Sequence, residues 1–279
     1  MASDMVNENS PLLPQQLLPN EVIDEPFSLW RDFIGLTRQT IPICFSFALQ
    51  NAVQMICVLT AGTIGPFELE VTSYGFMFYS CTGSMVAIGG ATALDTLCAH
   101  ASSSQQAIDN PRILGRLLQQ CLTVLLGLFM LIIAPIWVFS GSMFAALGQE
   151  PVFAHATGRF IIFMLPAGAL QVIAECLRKL LQVQGESNSV GAATALASVV
   201  AVILDVVLVR WTSLGLLSVP CAFAIYQIVT MLLLLGSITY KPVIRRTWCS
   251  SITGMLDGLP QMMFYAVTGI ATIATEWWR

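Results

Sequence analysis

The chain has 279 residues, of which 56% are hydrophobic and only 10% charged, with a formal net charge of −4 and a mean hydropathy of +0.76. Soluble domains carry about a quarter of their residues as charges, so this composition excludes a water-dissolved globular fold and points to an all-α protein of the membrane. The negative charge sits largely in the first residues (Asp4, Glu8, Glu21, Asp24, Glu25, Asp32), and no basic, aromatic-laced patch exists for nucleic acid.

In chain order, residues 1–35 read as a disordered, acidic cytosolic tail with a short interfacial helix near Phe27 to Phe33, and with no signal peptide. The first membrane helix then has to direct insertion itself. Apolar runs long enough to cross the roughly 30 Å of hydrocarbon follow at Ile41–Ala61, Val71–Cys98, Leu117–Phe139, Phe153–Leu181, Val190–Val209 and Leu216–Ile238, with a further run at Gly258–Trp278. The expected organisation is therefore a six-helix bundle over 36–240, a basic cytosolic linker over 241–257, and a seventh helix over 258–279. Pro135 and Pro166 fall inside spans, where each removes a backbone hydrogen bond that lipid cannot replace.

Lysine and arginine collect on the cytosolic side of short loops. Arg31, Arg38, Arg112, Arg116, Arg178, Lys179, Lys241, Arg245 and Arg246 fall on one side, and Arg159, Arg210 and Arg279 on the other, which places the N-terminus in the cytosol.

Eight cysteines lie in or beside the apolar runs with no CxxC pair, so they read as packing residues rather than as a disulfide framework or a zinc site. His100 and His155 stand without metal-binding company, and no serine, histidine and aspartate set is present. The expectation is a non-enzyme with no metal and no cofactor.

Polar groups are expensive in hydrocarbon, so they direct attention to function. Glu276, in Thr275-Glu276-Trp277-Trp278, is either a proton-exchanging carboxylate or an interfacial acid at headgroup level. Asp205, deep in the fifth span, is a cation or proton site if it points into the bundle and an end-of-helix acid if it does not. Ser46, Gln50 and Gln54 recur every four residues on one helix face, with Asn51 beside them. That face lines an interior path or bonds helices together. Asp95 and Glu175 lie toward the cytosolic ends of their spans, and Glu175 has Arg178 and Lys179 within helical pairing reach. These three, Asp95, Glu175 and Arg178, read as a structural or gating ion-pair group at the cytosolic mouth.

Several segments together resemble the multidrug and toxic compound extrusion (MATE) family of antiporters, in its eukaryotic, fungal form. They are Gly62 to Gly65 with Glu68-Leu69, the run Gly89-Gly90-Ala91-Thr92-Ala93-Leu94-Asp95-Thr96-Leu97-Cys98, the turn Leu147-Gly148-Gln149-Glu150-Pro151, the stretch Glu175-Cys176-Leu177-Arg178-Lys179-Leu180-Leu181-Gln182-Val183-Gln184-Gly185, and Glu276-Trp277-Trp278. The resemblance implies twelve membrane helices in two lobes that rock between outward-open and inward-open states, exporting small organic molecules in exchange for protons or sodium. It assigns proton coupling to Glu276 and a cation position to Asp205. Ala201 stands where an asparagine is expected and Gln54 where prokaryotic relatives carry aspartate, so coupling through Glu276 by protons is favoured over sodium.

On this reading the chain is the N-terminal half of such a transporter, truncated, with lipid and a small organic substrate as its partners. It is inactive alone unless it forms a homodimer or meets a separate C-terminal half; the competing reading is a non-transporting fragment or a regulatory partner of an intact transporter. Glu8, Leu12 and Leu13 resemble an acidic dileucine sorting signal, giving a vacuolar or plasma-membrane location.

Overall fold

A computed structural model describes residues 29–103, 112–211, 215–240 and 258–277. Every regular element among these residues is helical, as lipid demands of a backbone that has to satisfy its own hydrogen bonds. The sorting motif at Glu8, Leu12 and Leu13, the linker over 241–257, and Trp278 with Arg279 lie outside the described residues.

Helix α1 spans Leu29–Gly62 with Pro42 inside it, so it starts within the stretch expected to be tail. Helices α2 (Pro66–Tyr79) and α3 (Met85–Ser103) are joined without a break by a π-helical turn, Ser80–Ser84. Pro66 begins α2 at a position where a missing N–H leaves no bond unmade. Helix α4 (Ile113–Leu128) likewise continues through a π-helical turn, Phe129–Ile133, into α5 (Ala134–Val138). There the Ala134 N–H reaches back five residues to the Phe129 carbonyl, directly before Pro135, and proline is a recognised cause of such ladder defects. A short helix α6 (Ser140–Ala146) follows. Gly148 then closes the turn at φ +88°, with Gln149 N–H bonded to the Phe144 carbonyl at 3.1 Å, a left-handed cap that glycine adopts without Cβ strain.

Helices α7 (Pro151–Phe163) and α8 (Leu165–Val183) meet at a bend of 42° beside Pro166. Helix α9 spans Ser187–Trp211, a 3₁₀ turn at Gly215–Leu217 leads into α10 (Ser218–Tyr240), and α11 spans Leu259–Trp277. Four stretches, Phe33–Gly62, Ile113–Val138, Ser187–Trp211 and Gly215–Tyr240, are long and apolar enough to cross a bilayer, and the bent pair α7 and α8 makes a fifth. The other two expected spans, α2 through α3 and α11, are helical as well.

Helix α8 is the hub, packing on α3, α4 and α10. Its glycine Gly168 and Gly83 of the first π turn leave room for Trp137, since a Cβ on either would come within 2.9 Å or less of the indole. Trp137 is fully buried, stacks edge-on against Phe129, and donates its Nε1–H to Thr82 Oγ1 at 2.8 Å. Large apolar side chains such as Phe45, Met55, Leu59, Leu196, Val199 and Ile203 instead point outward. An outside this apolar suits acyl chains, and with lipid outside, packing rather than hydrophobic burial holds the helices together.

Candidate functional site

Ser46 and Gln50 of the polar stripe on α1 face the bundle, and each finds a different neighbour. Ser46 is buried, donates to the Pro42 carbonyl at 2.7 Å and lies against Gly191 of α9. One turn on, the buried Gln50 reaches α8: its Nε2 donates to Glu175 Oε1 at 3.3 Å, while its Oε1 accepts from Arg178 Nη1 at 3.4 Å. Arg178 also pairs directly with Glu175. Both charged side chains are shut away from solvent, at 2% and 0% relative exposure. Lys179, equally within reach of Glu175 along the helix, pairs instead with Asp95 Oδ2 of α3 at 2.6 Å. The group expected to be structural or gating comprises two ion pairs with different surroundings, one dry and one part-exposed.

Gln171, on the same face of α8 as Glu175 and Arg178, accepts hydrogen bonds from Tyr79 Oη and from Ser84 Oγ at 3.0 Å. The positions 171, 175 and 178 are spaced four and three apart, the signature of one helical face. Gln171 was therefore findable from sequence by the same rule that singled out Gln50, as a lone amide in an apolar run. Tyr79 and Ser84 carried no comparable signal, because their hydroxyls are common in spans.

In front of this network lies a cavity of about 210 Å³, walled by Gln50, Asn51, Gln54, Ser84, Gln171 and Trp277 among others. A second, more apolar hollow of about 480 Å³ adjoins it, sharing Asn51, Gln54 and Ser80 and adding Met55, Phe76 and Met77. The three residues expected on an interior path, Gln50, Asn51 and Gln54, therefore share one cavity wall. Polar groups at one end and a thioether and aromatic surface at the other suit an amphipathic guest.

Asp205 of α9 is buried at 1% exposure and accepts a hydrogen bond from Thr60 Oγ1 of α1 through its Oδ2. Its Oδ1 has no hydrogen-bond partner, and Cys57 lies beside it. The side chain thus points into the bundle. Ala201, one turn earlier, is also buried and supplies no donor, and Thr60 does so from the opposing helix.

Glu276 differs from these. It sits exposed in the last turn of α11, while its neighbour Trp277 reaches the cavity wall. Helix α11 is held to α3 by a backbone approach at Gly89, where an added Cβ would lie 2.8 Å from Ile270 Cα. Among the described residues no group of three or more histidine, cysteine or acidic side chains could hold a metal ion.

The MatE family profile matches residues 42–207. "Protein DETOXIFICATION 15" of Arabidopsis thaliana is 26% identical over 238 residues, covering 85% of this chain and 48% of that protein. "Multidrug and toxin extrusion protein 1" of Xenopus tropicalis is 23% identical over 256 residues, covering 91% of this chain and 43% of its own length. The crystal structure of the eukaryotic MATE transporter AtDTX14 superposes with a TM-score of 0.78 at 22% identity, over 88% of this chain and 55% of that one. The chain thus spans about half the length of the curated relatives it matches. With its apolar outer face, its helices and this match over more than half its length, the chain is a multi-pass membrane protein belonging to the MatE family.

Proposed function

We propose that the chain is one lobe of a secondary active antiporter that exports small organic molecules in exchange for protons. The cavity walled by Gln50, Asn51, Gln54 and Trp277 is the observation that carries this reading. Amide groups, an aromatic edge and an adjoining apolar hollow offer a surface suited to a small organic guest, and two carboxylates, Asp205 and Glu276, lie on helices that border α1 or the cavity. Glu276 is the proton-exchanging group and Asp205 a second cation position. Alternating access needs two bodies that move around a shared site, so transport requires a second half, supplied by another copy of this chain or by a C-terminal lobe. The N-terminus faces the cytosol, and the membrane is the vacuolar or plasma membrane.

Ethidium efflux from cells depleted of their own exporters tests the proposal, with the chain expressed alone and with a second lobe. Proton-driven efflux is expected only where two lobes meet, and Glu276→Gln abolishes its proton dependence. Undiminished proton-driven efflux in that variant removes Glu276 from the mechanism.

A further inference from the structure

Glu175 occupies an unusual position among the acids of this chain: it is wholly buried, yet only one side-chain hydrogen-bond link separates it from the cavity. That link is Gln50, which lines the cavity while its amide bridges Glu175 and Arg178. The ion pair is also incompletely satisfied. Glu175 Oε2 and Arg178 Nε have no hydrogen-bond partner, and the same holds for Tyr226 Oη and Gln227 Nε2 of α10. Native interiors leave few such atoms without a reason, such as a role in chemistry or an internal water.

We propose that Glu175 is a further proton-carrying residue of this lobe, loaded from the cavity past Gln50 and released when Arg178 reclaims it. The proton adds to Oε2, the free oxygen, so no existing bond has to break first. Arg178 stays protonated, and the pair changes from net zero to one positive charge. An unpaired guanidinium in a dry bundle is strongly unfavourable. The relief available to it is for α1 to shift and let cavity water reach it, which turns one proton into movement of a helix.

Among the described residues, the titratable or charged groups facing Glu175 are Arg178 and Cys176 on its own helix, Tyr79 of α2 and Tyr226 of α10. From the other packed helices, Asp95 of α3 is taken by Lys179, Cys121 of α4 touches Cys176 at 3.8 Å, and Asp205 of α9 turns to Thr60. Among the described residues no second acid competes for the proton at this place. This role deepens the coupling reading above, but its test needs no transport.

The experiment is infrared difference spectroscopy of the whole chain in lipid nanodiscs, stepped from alkaline to mildly acidic buffer, with helicity followed in parallel by circular dichroism. The wild type is expected to show a protonated-carboxyl band that is missing from the charge-neutral pair Glu175→Gln with Arg178→Gln, a variant that keeps an amide at each end of the Gln50 bridge. Gln50→Leu should slow the appearance of the band several-fold by closing the route. Identical spectra for wild type and double variant would overturn the proposal, as would a band that emerges only once the helical signal is lost. A Glu175 band in a chain that supports no efflux even beside a second lobe would sink the transport reading alone.

Discussion

Replacing Gly89 with alanine tests the placement of α11 against α3. The new Cβ would lie 2.8 Å from Ile270 Cα, 3.1 Å from Ile270 N and 3.1 Å from the Gly269 carbonyl oxygen, all backbone atoms that cannot rotate away. Carbon atoms rest at about 3.5–4.0 Å, so the two helices have to separate by about 1 Å, and overpacking of this kind costs about 1–3 kcal/mol. Gly236→Ala in α10 is the control, because nothing lies within 4 Å of its added Cβ. Both changes carry the same intrinsic helix gain, about 1 kcal/mol, so the difference between the variants isolates the clash at about 1–3 kcal/mol. Unfolding of the two proteins in mixed micelles, titrated with a denaturing detergent, measures that difference. Trp277, eight residues beyond Gly269 and about 12 Å along the axis, should move with α11 and weaken ethidium binding in the cavity. Equal stability of the two variants, with unchanged ethidium affinity, would refute the close crossing.

Other outcomes follow from the buried polar groups. Arg178→Met takes away the ion-pair partner of Glu175 in the core and should destabilise the bundle by about 3–5 kcal/mol, with most of that recovered when Glu175→Gln is added; a double-mutant cycle on the same unfolding assay reads it. Lys179→Gln removes a pair whose Asp95 partner is 41% exposed, so a loss of no more than about 1 kcal/mol is expected there. Thr60→Val deprives the buried Asp205 of its hydrogen bond and should cost about 1–3 kcal/mol, while Thr268→Val, on an exposed hydroxyl that bonds only within its own helix, should be nearly silent. Gly168→Ala drives a methyl group into the rings of Phe129 and Trp137 and should lower the midpoint as Gly89→Ala does, without touching the cavity.

Much of this molecule is legible from residue order because of its solvent. Hydrocarbon admits only helices and closed barrels and punishes every stray polar atom, so apolar length announced the helices, and the rare amides and carboxylates announced the interior. Gln50, Gln54, Asp205 and Glu175 were visible for that reason, and Gln171 was overlooked although it obeys the same rule. Other things are settled by neighbours far along the chain. Glu175 had two bases within pairing distance on its own helix, and the choice of Arg178 arises because α3 brings Asp95 to Lys179 and α1 brings Gln50 to the guanidinium. The orientation of Asp205 is decided by Thr60, which lies 145 residues earlier. Helical periodicity assigns a side chain to a face, but the element packed against that face, and thus the partner, follows only from how the helices assemble.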